Sequence, residues 1–283
     1  MDYQPAVPLS GIAGWEFLSR TRARQGESFA ASADIRRETA YFRDRIATIG
    51  SARDLVADRQ LLKVALGAFG LADDLDKRFF IRKVLEEGAT DPKAMANRLV
   101  DRRYRELAAA FGFGSPLGPR TSEPGFGLDI TRAYERRSFE IAVGRRDESL
   151  RLALGFEREI AAIAAADRGD DTAWLKILGT PPLRRVVEQA FGLPREFAGL
   201  DLDRQVATLR DRAARLFGAG DVAQFTDSDK VSRLIQRFLA REGAGATSPG
   251  SSGAANALTL LQGAGGGGAL GSGTLESLFA ALY

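Results

Sequence analysis

Apolar residues along the chain recur at helical spacing, and one such stripe occurs twice. Between Leu61 and Leu71, apolar side chains fall at positions i, i+3, i+4, i+7 and i+8, which is one face of an α-helix. The segment from Leu183 to Leu193 repeats this spacing 122 residues further on. Both segments end in Phe-Gly-Leu, and glycine there can take the left-handed conformation that ends a helix. The repeat predicts two related helices.

A second, weaker repeat precedes each of these segments. Phe42 and Ile46 correspond to Phe156 and Ile160, again at helical spacing but at an offset of 114 residues. The second half therefore carries eight extra residues between its two helices. Chance similarity between alanine-rich helices is the alternative, but two matches in the same order favour a degenerate internal duplication.

The remaining apolar stripes also have helical spacing, and no stretch alternates with the period of two that is typical of a strand. The predicted fold class is therefore all-α, with helical-bundle units. The expected helices are a short one docked by Trp15 and longer ones over 32–50, 53–69, 73–88, 90–111, 129–166 with a bend allowed at Gly144, 180–191, 201–217 and 226–239.

Three groups of polar residues are predicted to begin helices. The aspartates in 73–76 suit the positive end of a helix dipole. The run Thr-Asp-Pro at 90–92 combines an N-cap residue with a proline at the first helical position. Thr226, followed three residues later by Asp229, resembles a capping box.

Glycine and proline mark the breaks between the helical stretches. Residues 112–127 are rich in both and fit a linker between two units or an ordered surface loop within one domain. From 243 to 273 eleven residues are glycine and none is charged, a composition that predicts a flexible tail. The expected parts are an N-terminal arm with a short docked helix (1–31), a first helical unit (32–113), the loop or linker (114–127), a second helical unit (128–242) and the tail (243–283).

The tail ends in an apolar segment, LESLFAALY, from Leu275 to Tyr283. Most of its large apolar side chains share one helical face, as in peptides that dock into a partner's groove. The alternative is that this segment forms the last core helix of the fold. The candidate partner-docking residues are Leu275, Leu278, Phe279, Leu282 and Tyr283.

The composition limits the chemistry that the chain can perform. It contains no cysteine and no histidine, which excludes thiol nucleophiles, imidazole bases and the usual zinc sites. Carboxylate pairs such as Glu86-Glu87 and Asp73-Asp74 adjoin predicted helix ends, where capping explains them. We therefore expect a protein that is not an enzyme, with no cofactor, no metal and no small-molecule substrate. A magnesium-dependent enzyme that uses carboxylates is the remote alternative.

Basic residues only slightly outnumber acidic ones, 40 to 37, for a net charge of +3. Arginine pairs recur along the helices with carboxylates three or four residues away, so we expect internal ion pairs. A protein that binds nucleic acid or another polyanion through these arginines is the alternative. The pairs are Arg36-Arg37, Arg102-Arg103, Arg136-Arg137, Arg145-Arg146 and Arg184-Arg185.

No apolar stretch reaches the roughly 18 to 20 residues that span a bilayer, so we predict no membrane insertion. The first residues lack the basic region of a conventional signal peptide. We expect a cytoplasmic protein.

Several segments together resemble a known family. In chain order they are ETAYFRDRI, LLKVALGAFGL, ANRLVDRRY, FEIAVG, RLAL, PLRRVVEQAFGLP and LDLDRQV. They resemble an alphaproteobacterial family known only as a domain of unknown function, whose genes often lie beside flagellar basal-body and hook genes. The resemblance covers about residues 10 to 242 and the closing apolar segment. It implies a protein-interaction or structural role in flagellar assembly or motility, with a flagellar structural or export component as the partner, and it implies no catalytic residue. It also implies an alternative to the cytoplasmic location, namely export by the flagellar apparatus or association with the flagellar base.

Overall fold

The structure is a computed structural model that describes residues 3–167, 169 and 171–246, and the side chains of all of these except 245 and 246. Every regular element in this part of the chain is helical, which confirms the predicted all-α class. The α-helices are α1 (Gly11–Ala30), α2 (Ala33–Arg45), α3 (Ala52–Ala57), α4 (Arg59–Ala68), α5 (Arg78–Glu87), α6 (Met95–Arg98), α7 (Arg103–Phe111), α8 (Phe126–Gly144), α9 (Glu148–Ala165), α10 (Thr172–Leu178), α11 (Pro181–Phe191), α12 (Leu202–Phe217) and α13 (Ser228–Ala246). Short 3₁₀ helices lie at Ile46–Thr48, Ala72–Asp74, Arg195–Gly199 and Val222–Thr226.

One hydrophobic core joins helices from both halves of the chain. Helix α4 packs against α2, α3 and α8, and α9 packs against α8, α11 and the 3₁₀ helix Val222–Thr226. A smaller cluster around Val84, Ala96 and Ala108 lies between α5, α6 and α7. The described residues up to Glu242 form one compact unit. The division into two helical units stays a prediction from the sequence repeat.

The repeated helices end in the same way, as their sequences predict. Gly70, after α4, and Gly192, after α11, have φ angles of 73° and 66°. In each case the N–H of the following leucine donates to the carbonyl five residues back, at 2.8 and 3.0 Å. This is the Schellman arrangement, which satisfies carbonyl groups that the end of a helix leaves free. The prediction of two glycine-ended helices is confirmed.

Aspartates divide three helices that we predicted to be continuous. The predicted helix 53–69 is α3 and α4, separated at Asp58, and the predicted helix 129–166 is α8 and α9, separated just after Gly144. Asp58 and Asp147 each accept hydrogen bonds from the backbone N–H groups two and three residues on, at 2.9 and 3.1 Å. Both aspartates therefore begin a new helix. The apolar stripe crosses each break because the two helices face the same core.

The predicted helix 90–111 is likewise wrong as one element. Asp91 accepts the N–H of Lys93 at 2.8 Å in a turn, and α6 begins only at Met95. Asp101 then accepts the N–H of Arg103 at 3.0 Å and begins α7. Here too the side chain of an aspartate competes with the helical hydrogen bonds.

The starts of α5 and α13 and the length of α1 also differ from our predictions. Asp74 lies in a 3₁₀ helix, where its buried carboxylate accepts hydrogen bonds from other side chains, so α5 begins only at Arg78. Asp227 rather than Thr226 accepts the N–H of Asp229, at 2.9 Å, at the start of α13. The helix around Trp15 has 20 residues.

The glycine- and proline-rich stretch contains no helix between α7 and α8, as predicted. The rings of Phe111 and Phe126 meet edge-on, with centroids 5.2 Å apart, so the two ends of the stretch lie together. Thr121 is buried and donates its hydroxyl hydrogen to the carbonyl oxygen of Ile49 at 2.7 Å. The stretch is therefore held against the segment between α2 and α3.

Candidate functional site

A cleft with a volume of about 800 Å³ lies between α2, α4 and α8. We call it the tyrosine cleft, after Tyr134 of α8. Phe29, Ile35 and Ile141 supply apolar wall, and Arg145 and Arg146 lie at the end of α8. A volume in this range is typical of binding sites for ligands or side chains.

Glu38 binds two side chains from different helices in this cleft. Its carboxylate accepts a hydrogen bond from the Tyr134 hydroxyl and another from the Lys63 ammonium, the latter at 2.5 Å. The phenol of Tyr134 is almost completely buried. Burial, followed by the hydrogen bond to Glu38 and its negative charge, raises the pKa of Tyr134 above its ordinary value of 10.0. The three residues tie α2, α4 and α8 together, and the phenol stays protonated at neutral pH.

Gly67 explains why Tyr134 can lie so close to α4. A β-carbon at position 67 would come within 2.6 Å of two carbon atoms of the Tyr134 ring, closer than real contacts allow. The backbone of α4 at this point therefore forms the floor beneath the ring. Any side chain at position 67 would push α8 outward and change the shape of the cleft.

The N-terminal arm forms another wall of the cleft. The buried side-chain amide of Gln25 binds both polar backbone groups of Ala6, accepting from its N–H at 2.7 Å and donating to its carbonyl oxygen at 3.2 Å. Tyr3 contacts the ring of Phe29 edge-on at 6.4 Å. These contacts fix the arm along α1 and close one side of the cleft.

Most of the predicted arginine pairs have at least one member in an internal ion pair. Arg37 binds Asp34, Arg103 binds Asp101, and Arg137 lies 3.5 Å from Glu159. Both members of the last pair are bound, Arg184 to Glu188 and Arg185 to Glu242. Arg146 of the pair 145–146 instead donates to the Gln4 amide oxygen at 2.7 Å. This placement supports internal pairing over a continuous basic face.

Carboxylates in the described residues also serve capping and ion pairs. No group of three or more acidic side chains in this part of the chain could hold a metal ion.

No helix among the described residues is long and apolar enough to cross a membrane, as we predicted. The predicted docking residues Leu275, Leu278, Phe279, Leu282 and Tyr283 lie outside the described residues.

Sequence reasoning did not find Glu38, Lys63 and Tyr134 as a group. Each is unremarkable on its own amphipathic helix, and the three come together only when the helices cross. One signal was available, because the first copy of the repeat has Gly67 where the second has Gln189. A glycine within a helix is unfavourable unless something must approach closely.

Comparison with known proteins places the chain in a family. Residues 68–231 match a family described as "Protein of unknown function (DUF1217)". The chain belongs to the DUF1217 family. The X-ray crystal structure of an Agrobacterium tumefaciens protein has a similar fold, with a TM-score of 0.68 and 30% sequence identity over 84% of this chain and 97% of that chain. The search of curated proteins found no match. The predicted relation to a family of unknown function is confirmed, and the DUF1217 match includes the end of α4 and all of α11.

Proposed function

We propose that this DUF1217 protein is not an enzyme and acts by binding another protein, in flagellar assembly or motility. The observation that carries the proposal is the tyrosine cleft. Its walls combine apolar side chains such as Phe29 and Ile141 with charged ones, and its central polar groups, Glu38, Lys63 and Tyr134, bind one another. A pocket of this kind suits an apolar side chain of a partner, because entry buries apolar surface and leaves those internal hydrogen bonds intact.

The charges at one end of the cleft are consistent with a protein partner. Arg145 and Arg146 follow directly on α8, and neither forms an ion pair with a described carboxylate. A partner segment with an apolar anchor and a nearby carboxylate would match both features. Such charges at the rim act more on association rate and specificity than on affinity.

The flagellar context rests on the family resemblance seen in the sequence, whose members' genes often lie beside basal-body and hook genes. We propose a flagellar structural or export component as the partner. The interaction then takes place in the cytoplasm, with export through the flagellar apparatus as the alternative. The segment Leu275–Tyr283 is proposed as a second docking element, whose apolar face would bury against the partner.

A charge placed in the cleft tests the proposal. Ile141 lines the tyrosine cleft, whereas Leu128 lies on the same helix outside it, and both side chains are 39% exposed. We expect Ile141→Asp to reduce swimming and to lose the flagellar component that the unchanged protein captures, because it removes apolar surface that the partner's side chain would bury and places a charge there. Leu128→Asp is the matched control and should leave both unchanged.

Normal swimming and unchanged capture with Ile141→Asp would contradict the role of the cleft. Removal of the residues after Glu242 tests the tail separately. Under the docking proposal this truncation impairs motility and leaves the melting temperature nearly unchanged. A large loss of thermal stability would instead make the tail part of the core.

Retention on DNA separates this proposal from a polyanion-binding protein. Phosphate contacts release counterions, so binding through arginines would weaken steeply as salt increases. We expect no retention of the purified protein on DNA at physiological salt. A mobility shift with a steep salt dependence would favour the alternative.

A further inference from the structure

A second, smaller cleft shares no lining residue with the tyrosine cleft and has a volume of about 240 Å³. We call it the arginine cleft. It is formed by the start of α7 together with α8, α9 and α10, and five cationic side chains line it. They are Arg102, Arg103, Arg137, Arg158 and Lys176.

Two of these cations are neutralised by close partners. Arg103 binds the carboxylate of Asp101 at 2.7 Å and also donates to the Gly70 carbonyl oxygen at the end of α4. Arg158 binds Glu140 with two nitrogens, at 2.8 and 3.1 Å, and lies 3.1 Å from Glu159. Bidentate pairs of this kind are strong and fix the side chains in place. Arg103 and Arg158 therefore form the fixed frame of the cleft.

Arg137 is much less well neutralised. Its side chain is only 18% exposed, and its nearest carboxylate oxygen, on Glu159, is 3.5 Å away and shared with Arg158. Burial, followed by the positive charge of Arg158, lowers the pKa of Arg137. Nearby Glu159, Glu140 and Glu106 act in the opposite direction but do not outweigh these two effects, so the protonated guanidinium is incompletely compensated. An added negative charge in the cleft would complete the compensation.

Two further cations have unused donors. The side chains of Arg102 and Lys176 form no hydrogen bond or ion pair with any described residue, although both line the cleft. Three acidic side chains, Asp101, Glu106 and Glu159, line it as well, and Glu140 binds Arg158 from outside the lining. The five cations therefore face four carboxylates, which leaves an excess of one positive charge. Asp101 and Glu159 are already bound to arginines.

We propose that the arginine cleft binds a compact dianionic oxyanion, either inorganic phosphate or the phosphate group of a small monoester. A dianion would interact with Arg102 and Lys176, which bind no described carboxylate, and with the incompletely neutralised Arg137. The free donors come from three separate elements, the turn before α7, α8 and α10. A tetrahedral oxyanion presents acceptor oxygens in several directions, whereas a carboxylate has two oxygens in one plane. This site is independent of the docking function proposed above.

Calorimetric titration of the full chain with inorganic phosphate tests the site. At about pH 8 phosphate is largely dianionic, and sodium chloride of matched ionic strength is the reference. We expect saturable binding with phosphate alone. Arg102→Gln and Lys176→Gln should each raise the dissociation constant for phosphate about tenfold, which is the usual effect of losing one charge-assisted hydrogen bond. Glu106→Gln should lower it, because it removes a negative charge from the lining.

Arg36→Gln is the matched control, since this exposed arginine of α2 lies outside the cleft and the substitution changes the net charge equally. It should bind phosphate as the unchanged protein does. Titration with glycerol 3-phosphate under the same conditions separates the two sources, because tighter binding than inorganic phosphate indicates a monoester and weaker binding indicates the free ion. Heats equal to those of sodium chloride for both phosphates would overturn the proposal, as would equal weakening by Lys176→Gln and Arg36→Gln.

Discussion

Helices α4 and α11 share an apolar stripe and a glycine-ended C-terminus, yet they lie in different surroundings. In α4 seven of ten residues are buried, whereas in α11 five of eleven are buried. The shared stripe is buried in both helices, except that its last residue in the first copy, Phe69, is only half-buried. The difference lies on the remaining face, which in α4 packs against α8 and in α11 carries charged side chains.

The second face differs residue by residue. Leu62, Leu66 and Gly67 of α4 stand where α11 has Arg184, Glu188 and Gln189. Arg184 and Glu188 bind each other at 2.6 Å on the surface of the protein. The repeated stripe therefore accounts for the burial of one face of each helix. The residues between the repeated positions decide whether the opposite face is buried as well.

The largest expected difference between the two helices concerns Leu66 and Glu188, which occupy equivalent positions. Leu66 is fully buried, so Leu66→Ala should lower the free energy of unfolding by about 3 kcal/mol. Glu188→Ala removes one surface ion pair and should cost about 0.5 kcal/mol. Urea unfolding of both variants measures the difference. Equal losses would mean that α4 is not packed on both sides.

The next comparison concerns Gly67 and Gln189. Replacement of a helical glycine by alanine ordinarily stabilises a helix by about 1 kcal/mol. Gly67→Ala should instead destabilise the protein by about 2 kcal/mol, because the new methyl group overlaps the Tyr134 ring. Gln189→Ala is the control and should be nearly neutral. Thermal unfolding gives the sign, and a stabilised Gly67→Ala variant would show that α8 can move away from α4 without cost.

A third pair of substitutions should affect both helices equally. Gly70 and Gly192 both have positive φ angles, which a residue with a β-carbon adopts at a cost of roughly 1 to 2 kcal/mol. We expect Gly70→Ala and Gly192→Ala to lower the unfolding free energy by similar amounts. If the losses for the two variants differed by more than about 1 kcal/mol, the C-termini of α4 and α11 would not be equivalent. Denaturant unfolding at constant pH measures both.

The smallest expected difference lies at the helix starts. Asp58 caps α4 with two backbone hydrogen bonds, whereas the side chain of Thr180 forms none with the start of α11. Asp58→Ala should therefore cost about 1 kcal/mol at neutral pH, and Thr180→Ala should cost less.

The dependence of stability on pH sharpens this last test. Burial acts to raise the pKa of Asp58, but hydrogen bonds from Tyr41, Leu61 and Gln60 outweigh it, and the pKa lies below its ordinary value of 3.8. A lowered pKa in the folded state stabilises the protein above about pH 4, and this contribution is lost as the pH falls through the folded value. Asp58→Asn keeps a capping side chain but removes the charge, so its stability should fall less on acidification. An identical acid dependence of the two proteins would contradict this assignment.

The sequence by itself determined the fold class and the ends of the repeated helices. Apolar spacing and the Phe-Gly-Leu ends act within a few residues, so they can be recognised without tertiary contacts. The same locality explains the errors. The stripe runs through Asp58 and Asp147 because the helices on either side face one core, and the spacing does not show whether an aspartate side chain caps a new helix or points to solvent.

Only the tertiary structure brought the functional candidates together. Glu38, Lys63 and Tyr134 come from three helices, and the lining of the arginine cleft comes from four elements. Their proximity depends on the distances at which helices cross, and Gly67 sets one of these by leaving room for a ring 67 residues away in the chain. Helical periodicity records which face of a helix is buried, whereas the partner of that face is decided by packing between segments distant in sequence.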